Sequence, residues 1–426
     1  MTEDGQARLA RLAAALRRQS AAHDIDGWFV PGRIEVLGKH TDYAGGRSLL
    51  CAVERGLYAV SAPRDDGHLA IVDVRRGSSL ALTAGQETSP LHWGTYPLAV
   101  LRRLTRNFPE MTRGADVMFE SDLPSASGLS SSSTLIVLVL LVLARVNDLM
   151  SKAPWIENIR NAEDVAAYAA TIENGSGFRG LAGVRGVGTE GGSEDHTAII
   201  CSRAGEVAQY SFRPTCFERA ITLSSEWVFA VGVSGVAARK TGEALDDYNR
   251  ASRSVQRILD RWRLESGRED PSLGAAIASA PDAVERLRTL LGREDRGLVD
   301  RLNQFVEEST VLIPAAGEQL AAGDLTAFGA TVARSQELAE QLLRNQVPET
   351  VTLARDARSL GAAAASAFGA GFGGSVWALV EKSAAPAFLD RWQNAYAVAH
   401  PASAAKSTFF LSGAGAGAFG LRSLRS

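Results

Sequence analysis

The 426-residue chain has only three cysteines, six histidines and 7% aromatic residues. Cys51, Cys201 and Cys216 lie far apart, cannot all pair and show no close metal-ligand spacing. A disulfide framework and a zinc module are therefore excluded, and the usage suits the cytoplasm, where we expect the protein to reside. Charge of one sign is also scarce: 45 basic residues face 48 acidic ones, a formal net charge of −3. Without bulk attraction to polyphosphate, nucleic acid is not expected as a partner. The longest apolar run, residues 135–144, is ten residues long and closed by Arg145, short of the roughly 20 a membrane span needs. No membrane partner is expected, and the charged N-terminal segment reads as an amphipathic helix over 7–19 rather than a signal peptide.

What is present is an ordinary globular composition, 46% hydrophobic and 22% charged, on a chain longer than one core usually organises. The first quarter reads as strand-rich, with runs at 28–37, 48–63 and 69–74 broken by Gly, Pro and Asp. A helix at 97–108, a strand at 115–120, a Gly/Ser loop at 121–133 and a buried helix from Thr134 follow. A further helix spans 164–172, a glycine-dense stretch covers 175–192, and 197–201 with 207–212 reads as a hairpin. Beyond residue 214 the texture becomes helical over 243–265, 273–291 and 299–360, and an Ala-rich helix leads to a glycine turn before a strand at 375–380. These patterns predict an α+β protein with an N-terminal domain over 1–213 and a C-terminal domain over 214–426. A monomer or weak homodimer is expected.

Three glycine motifs need sorting. Residues 32–39 (GRIEVLGK) have five residues between the glycines where a Walker A loop needs four, and His40 stands where Ser or Thr should hold magnesium. Residues 369–374 (GAGFGG) satisfy GxGxxG but precede a strand, the reverse of dinucleotide-fold order. The third, residues 124–133 (PSASGLSSSS), joins a strand to a buried helix, where backbone N–H groups and the helix dipole converge on an anion. It reads as a phosphate loop. The GxSxG elbow of a serine hydrolase is absent.

Residues 31–43, 124–133 and 369–374 together resemble the three motifs of the GHMP small-molecule kinases, in the right order, and the first is similar to the galactokinase signature. Correspondence continues at 93–96, Glu173-Asn174, 192–196 and Asp247-Tyr248-Asn249. The resemblance implies a two-domain fold with the active site in the interdomain cleft, ATP and Mg2+ as cofactors, and transfer of a phosphoryl group to the anomeric hydroxyl of galactose or a related sugar. By matching position, Asp195 and Arg33 are the implied catalytic pair. Lys39, His40, Asp42 and Tyr248 are the implied sugar contacts. Pro124, Ser127, Gly128, Leu129, Ser130, Ser131, Ser132, Gly371 and Gly373 are the implied ATP site, with Ser132 and Glu173 on the metal.

The departures matter. Lys39 stands where galactokinases have glutamate, a charge reversal that raises the expectation of an anionic substrate such as a uronic acid. Glu194 and His196 flank Asp195 in place of Met and Gln, residues 365–368 differ ahead of the glycine motif, and the 175–192 stretch is longer than usual. A catalytically silent sugar and ATP sensor is the alternative function, against which the retention of Asp195, Arg33 and the loop serines weighs.

Overall fold

A computed structural model describes residues 2–20, 24–237, 243–292 and 295–424, with 243–247 in backbone only. The side chain of Asp247 thus lies outside the described residues. The chain opens with the helix Glu3–Gln19, capped by Thr2 and bearing acids in its first turn and arginines in its last. Among the described residues twelve strands follow, in two sheets. The first sheet runs β12-β1-β2-β5-β3-β4, comprising β1 (Asp26–Leu37), β2 (Arg47–Arg64), β3 (Leu69–Asp73), β4 (Ser78–Leu82), β5 (Gly114–Ser121) and the C-terminal β12 (Phe419–Leu421). The hairpin β6 (Glu206–Ser211) and β7 (Cys216–Thr222) joins through the start of β2. The second sheet, β11-β8-β10-β9, holds β8 (Trp227–Val233), β9 (Ala364–Phe368), β10 (Ser375–Glu381) and β11 (Thr408–Ser412).

The apolar run at 135–144 lies inside the helix Ser131–Val146, whose Leu and Val side chains are buried almost all round. That is the pattern of a helix enclosed by sheet and helices rather than lying on the surface. A second core crosses between the sheets, joining Ile34, Val36 and Leu49 of the first to Phe229, Val231 and Trp377 of the second. The expected boundary at 213/214 falls inside the β6–β7 connection. The changeover from one sheet to the other comes between Thr222 and Trp227, and β12 returns to the first sheet.

Two local readings are corrected. Residues 197–201 are not a strand but the end of the helix Glu194–Cys201, whose first turn carries Glu194 and Asp195, acids that suit a helix N-terminus. Residues 364–368 are not helical either. The preceding helix, Pro348–Ser359, ends first, and the small buried residues of β9 pair antiparallel with β10, so the glycine motif is the turn of a β-hairpin. Alanine's helix preference yields here to the sheet pairing available to five fully buried positions. Among the described residues no helix is long and apolar enough to cross a membrane.

Because one core spans both sheets, unfolding should be a single transition. Phe229, which meets Trp377 edge-on at 5.7 Å between ring centres, tests it. Phe229→Ala should cost about 3–5 kcal/mol in urea titrations, with circular dichroism and tryptophan fluorescence still coincident. Two resolved transitions would contradict a shared core.

Candidate active site

The long strand β1 supplies the site's central side chains. Its pairing with β2 is irregular between Pro31 and Arg33 and again between Glu35 and Leu37. Such irregularities re-aim side chains, and the period of two puts Arg33 and Glu35 on one face. Arg33 is 2% exposed, and its Nε and Nη2 lie 2.7 and 2.6 Å from Asp195 Oδ1. Nη1 donates to the carbonyl of Gly128 at 2.5 Å. Burial alone would lower the Arg33 pKa, but the carboxylates of Asp195, Glu194 and Glu35 raise it. Asp195 sits in the first turn of its helix, where the dipole favours negative charge.

Two cavities meet at Arg33 and Ala370, which line both. The larger, about 750 Å³, has an apolar lining of Trp93, Tyr96, Phe119 and Leu135. Pro124, Gly128, Ser130, Ser131 and Ser132 line it too. Ser130 adopts a left-handed conformation (φ 60°), and its buried hydroxyl has no partner among the described residues. An unsatisfied donor beside the N-terminus of a sixteen-residue helix suits an anion. Arg75 and Arg76, from the turn after β3, line the same cavity and were not evident in the sequence.

Other members of the predicted loop act indirectly. Ser127 donates to the Pro124 carbonyl at 2.8 Å, and its own carbonyl receives the Ser375 hydroxyl at 2.6 Å, so it closes the loop and ties it to β10. Leu129 is buried in the inter-sheet core and accepts the Arg33 backbone N–H. Gly371 and Gly373 do not line the cavity. A Cβ on Gly371 would stand 2.2 Å from the Asn345 carbonyl, and one on Gly373 2.7 Å from that of Val236. The close approach to the phosphate loop is made instead by Gly369 (φ 78°), whose Cβ would come 3.1 Å from the Gly128 carbonyl.

The smaller cavity, about 40 Å³, gathers Glu35, His40, Asp42, Glu194, Asp195 and Tyr248. His40 Nδ1 pairs with the Tyr43 hydroxyl at 2.8 Å and Nε2 with the Ala370 carbonyl at 3.0 Å, and its ring stands 5.5 Å from that of Tyr248. Asp42 Oδ2 accepts the Glu194 backbone N–H at 3.1 Å. Glu173 also lines the cavity and accepts from Ser133 Oγ at 3.0 Å, with His196 Nε2 at 3.3 Å. Ser133, the neighbour of Ser132, thereby links the phosphate-loop helix to Glu173. The glycine-dense stretch forms a fixed wall: Asn249 receives the Glu190 N–H and donates to Gly188, while Arg103 and Asn107 hold the carbonyls of Ser176 and Ala182.

Lys39 does not line the cavity. It is 1% exposed, its ammonium donates to Ser366 at 2.9 Å and Ser335 at 3.4 Å, and Ser335 in turn donates to Glu308. The charge reversal at Lys39 and the changed residues at 365–368 are thus parts of one buried network. Burial pushes Glu35 up to about 7 even though Lys39 and Arg33 hold it down. Glu194, hydrogen-bonded by Ser48 at 2.6 Å, is raised well above the carboxylate range by burial and by Glu35, Asp42 and Asp195. Sequence reasoning missed Glu35 as a site residue. Its signal was a lone acid two places from Arg33 in an otherwise apolar strand.

An acid whose pKa rises from 4.5 to about 7 on folding stabilises the fold fully below 4.5 and loses that contribution as pH climbs through 7. Thermal unfolding between about pH 4.5 and 7.5 should therefore show a smaller fall in Tm for Glu35→Gln than for the parent. Parallel falls would contradict the burial argument.

Three family models match the chain in order: the galactokinase galactose-binding signature at residues 19–63, the GHMP kinase N-terminal domain at 95–182 and the GHMP kinase C-terminal region at 316–398. A galactokinase of Streptomyces coelicolor is 28% identical over 408 residues, covering 93% of this chain and 95% of its own. One of Chloroflexus aurantiacus is 27% identical over 381 residues, covering 86% and 87%. The structure of Lactococcus lactis galactokinase complexed with galactose superposes with a TM-score of 0.78 at 21% identity, over 96% of this chain and 99% of that one. L. major mevalonate kinase shares the fold more distantly, with a TM-score of 0.56 at 14% identity over 91% of this chain and 96% of its own. With matches to its N-terminal, C-terminal and sugar-signature models spread along one α+β chain of two sheets, this protein belongs to the GHMP kinases as a galactokinase-like member.

Proposed function

We propose that the protein is an ATP-dependent sugar 1-kinase acting on galactose. The observation that carries this reading is Arg33, which lines both cavities and bonds Asp195 on one side and the phosphate loop on the other. The adenine of ATP suits the aromatic lining of the larger cavity, Trp93 and Tyr96, and its phosphates suit the loop, where Ser130 offers an unsatisfied hydroxyl. The sugar reaches from the larger cavity into the smaller one, whose volume of about 40 Å³ takes only part of a hexose, toward His40, Asp42 and Tyr248.

Phosphoryl transfer needs positioning and charge stabilisation more than covalent chemistry. Asp195 accepts the proton of the anomeric hydroxyl as that oxygen bonds to the γ-phosphorus and the bond from phosphorus to the ADP oxygen breaks in line. Arg33 pairs with the Asp195 carboxyl group and faces the charge on the transferring group. Glu173 and the Ser132 hydroxyl are hard oxygen donors of the kind magnesium takes, and the Ser133–Glu173 bond brings their two elements together. Magnesium bound there neutralises phosphate charge.

Galactose is favoured over a uronate on charge. Lys39 spends its cation inside the protein and does not line the sugar space, whose lining acids Glu35, Asp42, Glu194 and Asp195 offer a substrate carboxylate no attraction. The expected location is the cytoplasm, where ATP is available.

ADP release by the parent with MgATP should be supported by galactose and not by galacturonate, and Lys39→Glu should lose folding stability rather than switch substrate. Preferred turnover of galacturonate would contradict the charge reading. Asp195→Asn should lower kcat about 10²–10⁴-fold with the KM for ATP nearly unchanged, as expected for loss of a general base. Full activity in that variant would remove Asp195 from the chemistry.

A further inference from the structure

Glu35 has no part in the phosphoryl transfer described above, yet it lines the substrate cavity at 2% exposure. One of its oxygens, Oε2, accepts the backbone N–H of Gly369 at 3.1 Å. The other, Oε1, is buried with no hydrogen-bond partner among the described residues. An unfilled acceptor on a buried carboxylate is unfavourable and calls for a donor.

The protein's own candidates are already committed. The two cations nearest in effect are Lys39 and Arg33. The ammonium of Lys39 is directed to Ser366 and Ser335, and the guanidinium of Arg33 to Asp195 and the Gly128 carbonyl. Glu308 and Glu194 also act on Glu35, but neither makes a hydrogen bond to it among the described residues. The Gly369 N–H fixes which oxygen is free. Among the described residues no donor for Oε1 remains, which points to the occupant of the cavity.

We propose that Glu35 is a specificity-determining residue that reads the sugar directly, its Oε1 accepting a hydrogen bond from one ring hydroxyl. The assignment rests on the reading that this cavity holds the sugar. It gives the site a carboxylate acceptor built into β1, on the same face as Arg33, and it makes the pocket demand a donor at one ring position. A sugar lacking that hydroxyl leaves the acceptor buried and unfilled, and such sites reject the deoxy analogue strongly.

The test is a cycle between protein and ligand, read by calorimetric binding so that it needs no turnover. Galactose and the monodeoxygalactoses lacking the hydroxyl at C2, C3, C4 or C6 are titrated into the parent, Glu35→Met and Glu35→Gln. In the parent at about pH 8.5, where Glu35, raised to about 7, is ionised, one deoxy sugar should bind about tenfold or more weaker than galactose, the loss expected for a hydrogen bond to a charged group. In Glu35→Met that difference should vanish at this position alone, and in Glu35→Gln, whose carbonyl can still serve Gly369, it should shrink. The KM for ATP should stay within about twofold in the Gln variant, which a purely structural role would not secure. Unchanged discrimination at every position in the Gln variant would overturn the assignment even if the Met variant failed to fold. Absence of galactose binding by the parent would overturn the sugar reading and the assignment together.

Discussion

A single buried guanidinium organises the catalytic half of this molecule. Arg33 reaches Asp195 with two nitrogens and the phosphate loop with the third, so the helix Glu194–Cys201, the strand β1 and the loop before the helix Ser131–Val146 are held to one centre. Burying an arginine is unfavourable unless every donor is met by an acceptor in good geometry. That requirement ties the position of the general-base candidate to the position of the nucleotide loop. A shift in either leaves a charge unpaired in the interior, and the two irregularities in β1 let one strand serve both.

Around this centre the site is rich in acid. Glu35, Asp42, Glu194 and Asp195 line a cavity of about 40 Å³, and burial raises two of them above the ordinary carboxylate range. Proton retention on raised acids lessens their mutual repulsion. Lys39 belongs to this balance rather than to substrate recognition. It faces Ser335 and Ser366, which join the helix Leu325–Leu338 and strand β9 to the end of β1, so the network spans both sheets. The inter-sheet core beneath it, through Ile34, Phe229 and Trp377, gives the network a fixed frame.

Much of this was legible in the sequence because the relevant signals are local. The Gly/Ser loop at 124–133 announces itself by standing before an unbroken apolar helix, and the order of the motifs carried the family. Local readings failed where tertiary pairing decides the outcome. Residues 364–368 are alanine-rich and read as helix, yet they form the edge strand of the second sheet because β10 offers them partners. Gly371 and Gly373 have the spacing of a phosphate motif, but their freedom serves Asn345 and Val236. Lys39 looked like a substrate reader because its partners Ser335 and Ser366 lie some three hundred residues away along the chain. The open oxygen of Glu35 is likewise invisible in one dimension, since it depends on which neighbours have already been satisfied.

The most direct test of the central claim is a crystal structure with galactose, magnesium and a non-hydrolysable ATP analogue bound together. The account predicts the nucleotide base against Trp93 and Tyr96, the γ-phosphate between Ser130 and Arg33, and the anomeric hydroxyl within hydrogen-bonding distance of Asp195. A sugar presenting a different hydroxyl to Asp195, or a γ-phosphate remote from Arg33, would contradict it.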